Sequence, residues 1–216
     1  MVVLASGSNE PELVGTNMES EPAPSFTLTD HRGQTVELQD LEGKAVALTF
    51  IFTNCPDVCP LIVQRMLNAY DQLPDDTQDD VAMVAVTVDP ERDSPQAMHD
   101  YLAERDVATL DNWYGLTGDL ATLEPIWANY YVTPGQKYPA NTPVPSATSS
   151  HGEDGHHSGD AHSDHDHGTG EDDNAAYWLA HTDVIYVIDP EGNLRSLMRS
   201  DDTPEDLAHN LEALAQ

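Results

Sequence analysis

Residues 45–60 read AVALTFIFTNCPDVCP, and this stretch decides the fold. Residues 45–52 are apolar or β-favouring without a break, the pattern of a strand buried on both faces in the middle of a sheet. The run ends at Cys55 and Cys59, each followed by a proline. From Pro60 the apolar period lengthens. Leu61, Ile62, Met66, Leu67, Tyr70 and Leu73 predict one helix face, with Pro60 tolerated in the first turn. The cysteines therefore stand where a central strand gives way to a helix, a place where ligands and reactive groups gather in open α/β sheets.

Working outward, VAMVAVTV (81–88) predicts a second buried strand, and Ser94 with Pro95 opens a helix that turns Met98, Tyr101 and Leu102 inward. A further helix is predicted over 119–130, with Pro125 expected to kink or split it. On the N-terminal side, FTLTDHRGQTVEL (26–38) predicts a β-hairpin around a turn at Asp30 to Gly33. On the C-terminal side, TDVIYVID (182–189) and LRSLMR (194–199) flank the turn PEGN. Thr203, Pro204 and Asp206 then open a last helix with Leu207, Leu211 and Leu214 on one face. This order predicts an α/β fold, a mixed central sheet flanked by helices in a thioredoxin-like arrangement.

Two segments read as outside that core. Residues 1–22 are acidic and aperiodic and are expected to be a flexible tether, leaving 23–216 as the domain. Residues 139–176 hold almost no large apolar side chain and are expected to be a disordered insert within it. Six of the ten histidines fall there: His151, His156, His157, His162, His165 and His167.

Acids outnumber bases 39 to 8, a net charge of -31. Such a field repels nucleic acid and anionic membrane surfaces and excludes both as partners. The periodic apolar segments exclude disorder for most of the chain, so the acidity reads as a halophile's surface, its self-repulsion screened by molar salt. Two cysteines make a local dithiol and no disulfide framework. No run approaches the ~20 apolar residues of a membrane span, and MVVLAS is too short for an intact signal peptide. If the protein works outside the cell membrane, its anchor is expected to lie beyond this sequence.

On spacing alone the pair can be a structural disulfide, two buried thiols or the grip for a soft metal ion. Among metals, copper(I) is the best match to thiolates. The flanking residues narrow this. FIFTNCPDVCP (50–60) resembles the copper-site motif of the SCO/SenC family. VAVTVDPERDSPQAMHDYL (84–102), WYGLTGDL (113–120) and AHTDVIYVIDPEGNL (180–194) resemble its later segments in order. The resemblance implies a thioredoxin-like fold and copper, as Cu(I) or Cu(II), held by Cys55, Cys59 and His181. It implies delivery of copper to the binuclear CuA centre of cytochrome oxidase subunit II, with copper donors as further partners. A membrane-tethered monomer on the extracytoplasmic face is expected. The alternative is a thiol:disulfide oxidoreductase that uses Cys55 and Cys59 to keep the oxidase cysteines reduced; a peroxidase-like enzyme is a third reading. Asn54 and Ala180 depart from common family residues, and neither position is a ligand in the family.

Asp57 reads as an added oxygen ligand or a helix cap. His31, His99 and His209 read as one turn residue and two exposed helix residues. Asp89 to Asp93 (DPERD) reads as a turn and cap for the next helix. The histidine-rich insert is either a linker or a copper-collecting loop that ends shortly before His181.

Overall fold

The apolar run at 45–51 forms β4 (Ala45–Ile51), buried at every position because it has no polar face to offer solvent. β5 (Val81–Thr87) pairs with it in parallel and is equally buried, and β6 (Trp113–Thr117) extends the parallel set on the far side of β5. The computed structural model of the protein describes residues 11–56, 58–134, 138–139, 177–178 and 183–215. Between β4 and β5 run α1 (Val58–Tyr70) and a single turn, α2 (Asp75–Gln78). Between β5 and β6 runs α3 (Pro95–Ala103), and α4 (Leu120–Asn129) follows β6.

The sheet is completed by antiparallel strands. β9 (Ile185–Ile188) lies along β4, and β10 (Asn193–Met198) along β9. β2 (Thr27–Asp30) pairs with β6 and turns back into β3 (Thr35–Glu37), the expected hairpin. With β1 (Thr16–Pro22) at one edge, eight strands in the order β1-β10-β9-β4-β5-β6-β2-β3 form one mixed sheet. α5 (Pro204–Leu214) ends the chain. It has Thr203 and Asp206 in a reciprocal capping box and buries Leu207, Leu211 and Leu214 as the periodicity requires. This is the α/β arrangement expected from the sequence.

A second compact unit spans Gln136–Leu179. Within it, β7 (Tyr138–Pro139) pairs antiparallel with β8 (Tyr177–Trp178). The histidine-rich stretch between these two strands lies outside the described residues.

Three expectations change. Residues 16–22, expected within a flexible tether, form the edge strand β1 (Thr16–Pro22), paired with β10. Burial does not hold it there; polar contacts do. The fully buried Asn210 accepts from Val14 N–H at 2.8 Å and donates to Val14 C=O at 2.9 Å. Gly15, at φ 98°, passes so close to β10 that a Cβ would lie 2.5 Å from Ser196 Oγ. Residues 1–10 lie outside the described residues. Second, α4 is not split at Pro125 but continues through it to Asn129, with Asp119 accepting from Thr122 N–H at its start. Third, Leu61 is 65% exposed. The inward face of α1 is Cys59, Ile62, Val63, Met66 and Ala69, a set that keeps helical spacing with Cys59 as its first member.

Candidate metal centre

Cys55 and Cys59 lie together at the C-terminal end of β4. The chain leaves the strand at Phe52 and turns sharply, with Cys55 N–H donating to Phe52 C=O at 3.2 Å. It then enters α1, where Cys59 N–H donates to Cys55 Sγ at 3.4 Å. Cys55 sulfur thus takes one of the backbone donors that a helix start leaves unsatisfied, a position that favours negative charge on sulfur. Both residues are in the thiol state and both are buried, Cys59 completely and Cys55 to 8% exposure. Burial, followed by the hydrogen bond to Cys55, pushes the Cys59 thiol far above the ordinary cysteine range. A metal taken up here must therefore displace a proton from sulfur.

The fixed end of this turn is the carboxylate of Asp93, which by sequence reads only as part of a turn and helix cap. Asp93 is fully buried. It accepts Thr53 N–H on both oxygens at 3.2 Å, Thr53 Oγ1 at 2.5 Å and Thr87 Oγ1 at 2.6 Å. Its own C=O accepts Thr117 Oγ1 at 2.6 Å. Thr53 follows β4, Thr87 ends β5 and Thr117 ends β6, so one residue ties the ends of three adjacent parallel strands. Burial raises the Asp93 carboxyl above its usual range, and the bonds from Thr53 and Thr87 oppose that rise. The available signal was threonine recurring where apolar strand runs stop. The rest of the expected turn is present. Asp89 pairs with Arg92, and the helix cap itself is Ser94, which accepts from Ala97 N–H at 3.2 Å.

His181 and Asp57 lie outside the described residues. The chain resumes at Asp183, whose carboxylate is 4.0 Å from Arg65 Nη2 on α1. Arg65 also donates to Arg199 C=O at 2.5 Å. Val184 C=O accepts Thr49 Oγ1 of β4 at 2.8 Å. The start of β9 is thereby held against both the strand and the helix that flank the dithiol. Among the described residues no three His, Cys, Asp or Glu side chains converge on one point. Two expectations for other histidines also change or hold. His31 is buried, not a free turn residue: Nε2 donates to Ala108 C=O at 3.0 Å and Nδ1 accepts Gly115 N–H at 3.2 Å. His209 is exposed, as expected, whereas His99 is half-buried, its ring 6.0 Å from that of His31.

The SCO1/SenC family profile matches residues 15–155. The chain belongs to the SCO1/SenC family. It is 29% identical to protein sco1 of Schizosaccharomyces pombe over 187 residues, which are 85% of this chain and 57% of that protein. The chain spans about half the length of the curated relatives it matches. Copper-bound ScoI of Bradyrhizobium japonicum has the same fold, with a TM-score of 0.63 and 28% identity over 89% of this chain and 99% of that one. BsSco shares the fold at a TM-score of 0.60 and 20% identity, over 94% of this chain and 97% of that one. It is a member of the Sco family of cytochrome c oxidase assembly proteins in which a disulfide switch has been identified. Fold class and family thus agree with the reading of residues 45–60. No helix among the described residues is long and apolar enough to cross a membrane.

Proposed function

We propose that this protein binds copper through Cys55, Cys59 and His181 and delivers it to the CuA centre of cytochrome oxidase subunit II. The observation that carries this is the paired sulfurs at the end of β4, held by a single turn in a chain of the SCO1/SenC family. Two soft sulfur donors fit copper(I), and an imidazole nitrogen suits copper(II) as well. His181 lies two residues before Asp183, within roughly 7 Å of backbone reach, and Asp183 is paired with the helix that carries Cys59. That pairing supports His181 as the third ligand. Copper is cargo in this reading, and the protein's work is to hold it and release it. Delivery at the extracytoplasmic face, from a membrane tether, belongs to the same proposal.

Copper titration of the reduced protein and of Cys55→Ala, Cys59→Ala and His181→Ala tests it. One tight copper in the parent and loss of tight binding in the variants is the expected result; unchanged affinity in all three rejects the ligand set. The same titration on a chain lacking residues 140–175 should keep the tight copper and lose weaker equivalents, if the six clustered imidazoles collect copper for the site.

A second reading, thiol:disulfide exchange with the oxidase cysteines, is favoured by the unequal burial of the pair. Cys55 is the more accessible residue and Cys59 the enclosed one, as an attacking and a resolving cysteine would be. Disulfide exchange with a subunit II peptide in the absence of copper separates the two readings.

A further inference from the structure

We infer that Asp93 is a positioning residue for the dithiol, acting through Thr53 to set the distance between Cys55 and Cys59. Its contacts define the action. Both Asp93 oxygens receive hydrogen bonds, and the direction of each is fixed. Thr87 Oγ1 accepts Asp89 N–H at 2.8 Å, so its own proton goes to Asp93. Thr53 presents its N–H and its hydroxyl together. A carboxylate accepts at both oxygens and donates at neither, which is what this set of donors requires. The bonds leave Thr53 little freedom, and Cys55 is two residues further on, inside the turn closed by its N–H to Phe52.

Distance is what a dithiol needs. A disulfide demands Cβ atoms about 3.5–4.5 Å apart, and a two-sulfur metal grip is similarly intolerant of spread. The brace that Asp93 supplies is lateral. It runs from Thr53 through Asp93 to Thr87 and Thr117 on the neighbouring strands. Releasing Thr53 lowers the effective concentration of one sulfur at the other without changing either sulfur.

The inference rests on Cys55 and Cys59 being the working pair, and its test uses no metal. The protein is equilibrated with oxidised and reduced glutathione. Closing the pair removes two electrons and two protons from the thiols, and glutathione disulfide takes both to give two glutathione thiols. Asp93→Ala should shift this equilibrium about tenfold toward the open dithiol, the scale on which sub-ångström misplacement acts. Asp93→Asn, which keeps the shape and one acceptor oxygen, should recover part of that shift. Thr53→Val should shift in the same direction, and the double variant Asp93→Ala/Thr53→Val no further than Asp93→Ala alone. The control is His31→Phe, which loosens a buried contact that includes neither Thr53 nor Asp93 and should leave the equilibrium unchanged. If Asp93→Ala does not fold, Asp93→Asn and Thr53→Val carry the same criteria. An unchanged equilibrium in folded Asp93 and Thr53 variants overturns the inference, as does an equal shift in His31→Phe or a parent pair that never closes. A parent that closes its disulfide yet binds no copper rejects the copper proposal alone.

Discussion

Two loops of this protein are each held by one buried polar side chain, and they are held in opposite ways. At the C-terminal ends of the parallel strands, Asp93 takes in donors from Thr53 and Thr87 and donates nothing. Beside β6, on the other flank of the sheet, His31 donates from Nε2 to Ala108 and accepts at Nδ1 from Gly115, fastening the β2–β3 turn. The carboxylate can serve any cluster of donors, and so it suits a turn whose backbone points N–H groups inward. The imidazole serves only a matched pair of one acceptor and one donor, and it must remain neutral to do so. Protonation would set an N–H against the Gly115 N–H. Burial drives both groups away from charge, raising the Asp93 carboxyl and lowering His31. The dithiol end is thus braced by a group that resists ionisation but is repaid in hydrogen bonds, and the β2–β3 turn by one that need not ionise at all.

The largest lever acts on both loops together. With a net charge of -31, moving from molar to millimolar salt extends self-repulsion from about 3 Å to tens of ångströms. Circular dichroism across a salt series should show loss of fold at low salt. Neither buried site is exposed to screening, so the stability gap between Asp93→Ala and His31→Phe should persist at every salt concentration where both fold. A chain equally stable in dilute buffer removes the halophile reading.

Next comes the gap itself. Asp93→Ala strands the Thr53 N–H and two hydroxyls without partners and should destabilise by about 3 kcal/mol, near the upper range for buried groups left unmet. His31→Phe fills the space but strands one C=O and one N–H, and should cost about 2 kcal/mol. Chemical denaturation at fixed high salt measures both. Equal costs would mean that charge adds nothing to the Asp93 brace.

The smallest effect is the dependence on pH, and its sign differs between the two loops. His31 binds its proton less readily folded than unfolded, so its contribution is intact above pH 6.5, the ordinary value, and falls as pH drops toward its lowered folded value. Arg32 and His99 help lower that value, while Asp30 and the bond to Ala108 oppose them. Asp93 binds its proton more readily folded than unfolded. Its unfavourable contribution at neutral pH is therefore relieved as pH falls through its raised value toward 3.8. Between about pH 7 and pH 5 the wild type should lose stability relative to His31→Phe, with a slope no steeper than ~1.4 kcal/mol per pH unit. A flat difference would show that His31 is not held neutral.

What sequence determined is local or periodic. The runs at 45–51 and 81–87 could only be central strands, because no residue in them offers a face to water. Ser94 with Pro95, and Thr203 with Pro204 and Asp206, fixed two helix starts, because caps act within one turn. The dithiol at the junction of strand and helix was legible for the same reason, since Cys55 and Cys59 meet within a single turn. What only the tertiary structure decided joins residues far apart in the chain. Val14 pairs with Asn210, 196 positions away, and turns an acidic stretch that looks like a tether into an edge strand. Thr53 meets Asp93 across 40 positions, and His31 meets Gly115 across 84. Each of these partners is a common turn or surface residue by type. Its role comes from the donors and acceptors that folding encloses around it, and a buried polar group takes its meaning from those partners.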